Sequence, residues 1–177
     1  MPSLDATPKS PSANAYLTAV EATAYFNSQR LYSALWTAAS SLDKDRVIQW
    51  ATLLLDVCMD WEGSIRTLEQ ALRWPRSGVL DADDRNVDYD LIPIPIKNAT
   101  AELALSLLAR DRTAEPTLLG QGFVRAKVGP IEVDLNRNVT PSMVDLIPDH
   151  ILTMLSEYGQ LKASATHGSM AIPLERR

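Results

Sequence analysis

The sequence predicts a mostly α-helical protein, a small helical bundle with one β-hairpin and flexible N- and C-terminal extensions. Apolar residues recur at three- and four-residue steps along most of the chain. Glycine is scarce, with 7 in 177 residues, and a single short segment alternates apolar with polar residues instead. With 46% hydrophobic and 22% charged residues, the chain can bury a core and differs from a disordered protein.

Three segments are expected: a leader over residues 1–15, a helical domain over residues 16–159 and a tail over residues 160–177. The leader carries three prolines among small polar residues, which favours a flexible segment. The tail has no sustained periodicity. Ordered structure is therefore expected to begin near Tyr16 and to end near Gly159.

The first half of the domain is expected to hold three helices. Thr18 and Glu21 have the spacing of a capping box, which predicts a helix to about Ser28, and a short helix through Trp36 follows. The longest helix is expected over about 43–61, ended by Gly63. Its predicted core face consists of apolar residues at helical spacing, namely Val47, Trp50, Ala51, Leu54, Cys58 and Trp61.

The second half is expected to begin with an irregular region. Residues 67–73 are assigned two helical turns, Trp74-Pro75 a turn, and Asp81–Asp90 an acidic loop. A fourth helix is expected to begin at Pro95 and run to about Arg110.

Residues 123–135 predict the hairpin, because the period changes there from helical to alternating. A turn at Gly129-Pro130 would place Val128 opposite Ile131, Lys127 opposite Glu132 and Arg125 opposite Asp134. Each cation would then face an anion, which favours this register. A last helix is expected from Pro148 to a C-cap at Gly159.

Composition limits the classes of function. The formal net charge of −5 gives no basic field for nucleic-acid binding. One cysteine excludes an internal disulfide and a cysteine-built metal site. No apolar run approaches the roughly 18 residues of a membrane span, and no secretory signal is recognisable. We expect a soluble protein made in the cytoplasm, without membrane contact.

The search for catalytic motifs predicts no enzyme, no cofactor and no metal. There is no P-loop and no Gly-x-Ser-x-Gly elbow, and Gly120 and Gly122 form half of a dinucleotide fingerprint. Cys58 lies on a predicted core face, which favours a buried structural thiol, and His150 and His167 lack partners for zinc. The Asp81–Asp90 loop fails the EF-hand template, although a weak cation site shared with a neighbouring subunit stays open.

The tryptophans are assigned to the core rather than to base stacking, with one exception. Trp74 stands beside Pro75 and Arg76, where it would either fill a gap in the core or contact another molecule.

Several motifs in order over residues 15–160 resemble a family encoded in the morphogenesis clusters of tailed phages. The most specific are Trp-Pro-Arg-x-Gly and Val-Gly-Pro-Ile. The motifs that carry the resemblance are Ala22-x-x-Tyr25-Phe26, Trp36, Gln70-Ala71-Leu72-Arg73-Trp74-Pro75-Arg76-x-Gly78, Ile94-Pro95-x-Lys97-x-Ala99, Ala101-Glu102-Leu103-Ala104 and Lys127-Val128-Gly129-Pro130-Ile131-x-Val133.

Members of that family carry the label DnaT-like single-stranded DNA-binding protein, yet they also resemble head–tail connector proteins. The second resemblance implies a dodecameric ring in the virion neck, bound to the portal protein and to a tail or neck protein. The acidic charge favours this adaptor role, with DNA passing through unbound; the alternative is a single-stranded DNA-binding protein. Partner contacts are expected from Trp74, Arg76, Met170, Ile172, Leu174, Arg176 and Arg177.

Overall fold

The structure is a computed structural model that describes residues 3–112, 125–128, 131–134 and 146–162. The helices are α1 (Ala19–Gln29), α2 (Ala34–Ala38), α3 (Ser41–Cys58), α4 (Ile94–Ala109) and α5 (Asp149–Leu155). The strands are β1 (Met59–Trp61), β2 (Ser64–Ile65), β3 (Arg76–Ser77), β4 (Arg125–Val128), β5 (Ile131–Asp134) and β6 (Gly159–Leu161). The fold is mostly α-helical, as predicted.

The core lies where α4 packs between α3 and α5. Leu55 of α3, Ile96 and Leu103 of α4, and Ile151 of α5 are fully buried there. A short α1 adds Phe26, whose ring meets that of Trp36 at 5.0 Å between centroids. Burial of these large apolar side chains is the main source of stability.

The predicted starts of α1 and α4 agree with the structure to within one residue, whereas α3 begins at Ser41, two residues before the expected start near Asp43. Thr18 and Glu21 form the capping box at α1, where the Glu21 amide donates to Thr18 Oγ1 at 3.2 Å and the Thr18 amide to Glu21 Oε2 at 2.7 Å. At α3, Ser40 Oγ accepts from the Asp43 amide at 3.1 Å. Each cap satisfies an amide that has no partner within its helix. Helix α4 begins at Ile94, one residue before the expected Pro95.

Two predicted helix ends are wrong because a strand pair replaces them. Residues Met59–Trp61 leave α3 and pair antiparallel with Gly159–Leu161. Gly159 is therefore a strand residue and not the C-cap of α5, which ends at Leu155. A Cβ at Gly159 would lie 2.6 Å from the Asp60 carbonyl oxygen, so only glycine permits this close approach. The predicted tail also loses residues 160–161 to β6.

The segment predicted as a flexible leader is anchored from residue 3 onward. The Asp5 amide donates to Asn14 Oδ1 at 2.8 Å, and the Asn14 amide to the Asp5 carbonyl at 2.9 Å. Ser12 Oγ donates to Asp5 Oδ2 at 2.8 Å. Side-chain hydrogen bonds of Asp, Asn and Ser thus shape turns that composition alone suggested were loose.

The helical turns predicted over residues 67–73 are also absent, and turns and bends occupy this region. The Gln70 side chain accounts for the difference. Its Oε1 accepts from the Thr67 amide at 3.0 Å, and its Nε2 donates to the Leu72 and Pro75 carbonyls at 2.8 and 3.1 Å. These bonds replace those of a helical turn.

The register predicted for the hairpin is confirmed. Strands β4 and β5 are antiparallel, with Arg125 opposite Asp134, Lys127 opposite Glu132, and Val128 opposite Ile131. The proposed turn at 129–130 lies outside the described residues, as does the tail from residue 163.

Candidate interaction surface

The solvent side of α3 is apolar. Trp50, Leu53 and Val57 follow one another at helical spacing and are 46%, 61% and 51% exposed. Leu42 extends this line toward the start of the helix, and Arg46 is its single charged member. We call these five residues the α3 face. A surface helix normally carries charged side chains at such positions, so this face has the character of an interface.

The core assignment of Trp50 is therefore wrong. The buried side of α3 consists of Val47, Ala51, Leu54 and Cys58, together with Ile48 and Leu55. Trp50 belongs to a second apolar stripe with Leu53 and Val57, rotated away from the first. The sequence contained this signal, because Leu53 and Val57 fit no position on the predicted core stripe and lie at helical spacing from Trp50.

A groove of about 320 Å³ adjoins the α3 face, between α3 and the end of α4. Its apolar walls are Val47 and Trp50 on one side and Leu107 and Leu108 on the other. Its rim is charged, with Asp43, Arg46 and Asp111. Arg46 Nη1 lies 3.8 Å from Asp43 Oδ1. An apolar groove with a charged rim is a common docking geometry for a peptide segment.

Trp74 and Arg76, both predicted to contact a partner, are buried. Trp74 is 1% exposed and packs edge-on against Trp61 and Tyr158, with 5.9 Å between ring centroids in each pair. It therefore fills the core, which was the other interpretation of its position. Neither Trp61 nor Trp74 has a hydrogen-bond partner for its indole Nε1 within the described residues.

Arg76 organises the backbone around this aromatic cluster. Its Nε donates to the Glu62 carbonyl at 2.5 Å, and Nη2 donates to the Gly63 carbonyl at 2.6 Å. Longer bonds of 3.3 Å reach the carbonyls of Trp61 and Arg73. Burial, with the nearby charge of Arg73, lowers the pKa of its guanidinium. Trp74 and Arg76 support the fold, while Met170, Ile172, Leu174, Arg176 and Arg177 lie outside the described residues.

The half-buried carboxylate of Asp56 joins the N-terminal segment to α3. The Tyr16 hydroxyl donates to Asp56 Oδ1, and the Arg73 amide donates to Asp56 Oδ2 at 3.1 Å. Burial raises the pKa of Asp56, while the bonds from Tyr16 and Arg73 oppose that effect. Burial and the Asp56 charge also raise the pKa of Tyr16. The Asp56 side chain therefore bonds within the domain, in contrast to the exposed side chains of Leu53 and Val57 on the same helix.

A second pocket, of about 350 Å³, surrounds Glu102 between α2, α4 and α5. Glu102 Oε1 accepts from the Tyr25 hydroxyl at 2.9 Å and lies 3.4 Å from Arg30 Nε. Burial and the bond to Glu102 raise the pKa of Tyr25 to about 12. Tyr32, 81% exposed, and His150 stand at its edge. Sequence reasoning missed this pocket, whose signal was a single acid within the apolar stripe of α4.

The remaining candidates for chemistry are Cys58 and the acidic loop. Cys58 is buried, and burial raises the pKa of its thiol, which disfavours the reactive thiolate. In the acidic loop, Arg85 lies 2.9 Å from Asp81 Oδ2 and 2.7 Å from Asp83 Oδ2. Across the residues described, no group of three potential metal ligands occurs. In the same part of the chain, no helix has the length and apolarity needed to cross a bilayer.

The described residues form a mostly helical domain with the apolar α3 face, the groove beside it and the pocket at Glu102. It belongs to the family described as "Putative DnaT-like ssDNA binding protein", whose model matches residues 4–176. The resemblance to that labelled family is thereby confirmed. No curated protein and no solved structure matches the chain.

Proposed function

We propose that this chain is a structural head-to-tail adaptor of a tailed phage, forming a ring below the portal in the virion neck. The observation that carries the proposal is the apolar α3 face. Trp50, Leu53 and Val57 are each close to half exposed or more, and exposed apolar patches of this kind are typical of protein–protein interfaces. The phage assignment itself rests on the sequence resemblance.

Charge is consistent with a conduit for DNA. Each chain carries a formal charge of −5, so a ring of twelve would carry about −60 and would repel the phosphate backbone. A channel through which DNA slides is better served by that repulsion than by affinity.

The mechanism is assembly without turnover. The packed α3, α4 and α5 helices act as a rigid body, and the α3 face contacts a neighbouring subunit or the portal. The hairpin contacts the next ring of the neck. The basic end of the tail, with Arg176 and Arg177, is the segment that we expect to reach the portal.

Single-stranded DNA binding is the second candidate, and the family description favours it. The groups best suited to it are exposed aromatic side chains beside cations, because bases stack on aromatic rings while cations bind phosphate. Tyr32 lies on the edge of the Glu102 pocket together with Arg30. Tyr89 has the Arg66 guanidinium 4.6 Å from its ring centroid.

A pair of measurements separates the two functions. We expect the purified chain to assemble with its cognate portal and to show no binding to a labelled oligo-dT strand near physiological salt. Leu53→Asp should abolish assembly. Leu68→Asp, which adds the same charge at a leucine 97% exposed, should leave assembly intact.

Two results would overturn the adaptor proposal. One is failure of the purified chain to assemble with its cognate portal, whereas assembly unaffected by Leu53→Asp would remove only the α3 face from the proposal. The other is tight oligo-dT binding that weakens steeply between about 50 and 200 mM salt and that is lost on Tyr32→Ala with Arg30→Ala. The second result would establish the single-stranded DNA-binding function instead.

A further inference from the structure

The Glu102 pocket contains a buried acid whose contacts are concentrated on one oxygen. Glu102 is 5% exposed. The Tyr25 hydroxyl donates to Glu102 Oε1 at 2.9 Å, and Arg30 Nε lies 3.4 Å from the same oxygen. The Arg30 contact is longer than the roughly 2.7–2.9 Å of a charge-assisted hydrogen bond. The strongest bond to this carboxylate therefore comes from a neutral phenol.

The second oxygen of Glu102 is open to the pocket. Among the described residues, no N–H or O–H group donates to Oε2. In the same part of the chain, the polar side-chain atoms that are both fully buried and unbonded are the indole nitrogens of Trp61 and Trp74. Glu102 Oε2 is therefore reached by solvent, and Glu102 lines the pocket. A carboxylate taken out of bulk water needs hydrogen bonds to both oxygens, so Oε2 is an acceptor available to a ligand.

The rest of the pocket is suited to an apolar stem with a flat polar end. Leu35, Leu105 and Ala109 are its apolar walls, and the exposed ring of Tyr32 lies at its edge. Its volume of about 350 Å³ is at the small end of the range of about 300–1,000 Å³ that is typical of ligand sites. The pocket therefore fits a single side chain better than a large cofactor.

We propose that the Glu102 pocket binds the guanidinium of an arginine side chain presented by a partner protein. A guanidinium supplies N–H donors to Oε2 and can stack on the Tyr32 ring, while its methylene stem lies along the leucines. Arginine is also enriched among the side chains that anchor interfaces in pockets. A phosphate is disfavoured because it would approach the Glu102 carboxylate, whose nearest cation, Arg30, is already paired with it.

Arg30 leaves room for the second cation. A carboxylate has about four acceptor sites, and Arg30 and Tyr25 both lie at Oε1. The Arg30 side chain is 45% exposed, so water screens its repulsion of an incoming guanidinium. The binding site does not depend on which of the two functions is correct, because it concerns the isolated chain and one side chain of a partner.

The test is a titration of the isotope-labelled full-length chain with N-acetyl-arginine-N′-methylamide, followed by amide NMR shifts. N-acetyl-citrulline-N′-methylamide is the matched probe, because its urea group has a similar shape without the charge. We expect saturable shifts of the Leu105 and Ser106 amides with the arginine probe. The dissociation constant for the citrulline probe should be higher by about tenfold, since a charge-assisted bond is lost.

Three variants locate the binding. Glu102→Gln keeps the size of the side chain and an acceptor for the Tyr25 hydroxyl, and it should bring the two dissociation constants to within about twofold of each other. Tyr32→Ala changes an exposed residue with little effect on folding and should weaken arginine binding about threefold. Tyr89→Ala, which removes another exposed tyrosine ring, is the control and should leave binding unchanged.

Equal binding of the two probes by the wild type would overturn the proposal, as would the absence of saturable shifts, in which case water fills the pocket. Methylguanidinium that binds as tightly as the arginine probe would overturn recognition of a side chain, because the apolar walls would contribute nothing. Leu105 and Ser106 shifts with oligo-dT but not with arginine would replace the proposal by a DNA contact. Portal assembly is measured separately, so its failure leaves the outcome of this titration unchanged.

Discussion

Trp50 and Trp74 lie in regions of opposite character. Around Trp74, aromatic rings pack edge to face, and the Arg76 guanidinium bonds to four backbone carbonyls. Around Trp50, apolar side chains stand in a row with their outer surfaces exposed. The first region packs its large side chains within the domain, while the second leaves apolar surface exposed.

This contrast shows that residue type alone does not identify a contact residue. A tryptophan and an arginine are both typical of interface hot spots, and in this chain the Trp74–Arg76 pair has that composition. Because both side chains are buried, they stabilise the fold and do not contact a partner. Leu53 and Val57, which are less typical of hot spots, instead form the exposed face.

The largest expected effect is the difference in stability loss between alanine variants of the two tryptophans. Trp74→Ala removes a fully buried ring and should lower the free energy of unfolding by about 3–5 kcal/mol. Trp50→Ala should change it by about 1 kcal/mol or less, as for exposed sites. Guanidinium denaturation followed by circular dichroism measures both. Similar losses for the two variants would contradict the difference between the regions.

The second prediction compares two arginine-to-lysine substitutions, both of which keep the positive charge. Arg76→Lys removes the planar fork that reaches several carbonyls at once, and loss of one or two charge-assisted bonds should cost about 2–3 kcal/mol. Arg46→Lys, on the α3 face, is the control and should cost about 0.5 kcal/mol or less. The same denaturation series measures both. An Arg76→Lys protein as stable as the wild type would show that the carbonyl contacts contribute little.

Sequence patterns correctly predicted the structural features that depend on residues close together along the chain. The Thr18 cap, the start of α4 and the hairpin register each follow from spacing within a few residues, and all three agree with the structure to within one residue. The hairpin was predictable because alternation and charge pairing independently indicated one register.

The errors fall where distant segments meet. The pairing of β1 with β6 joins residues about one hundred positions apart, and no local signal in Met59–Trp61 distinguishes it from a last helical turn. The exposed position of Trp50 depends likewise on where α4 packs against α3. Gln70 is a third case, because its side-chain bonds override helix propensity in a short segment.

The smallest expected effect concerns Asp56, which lies on α3 but points toward the Trp74 region. Burial raises its pKa above the ordinary value of 3.8. The folded carboxyl therefore keeps its proton where the unfolded one has lost it, and its contribution to stability falls as pH rises through that interval. Asp56→Asn removes this titration and retains an acceptor for the Arg73 amide, so at neutral pH it should cost about 1 kcal/mol or less.

The measurement is the free energy of unfolding of wild type and Asp56→Asn from about pH 4 to pH 7. We expect the wild type to lose stability relative to the variant as pH rises. Asp60→Asn, which removes an exposed carboxylate of β1, is the control and should not reproduce that slope. Tyr16, Arg73 and Lys162 are the charged or titratable groups nearest Asp56. A wild type that gains stability relative to Asp56→Asn over this range would contradict the prediction. It would mean that the bonds from Tyr16 and Arg73 lower the pKa of Asp56 by more than burial raises it, so that the ionised carboxylate stabilises the fold.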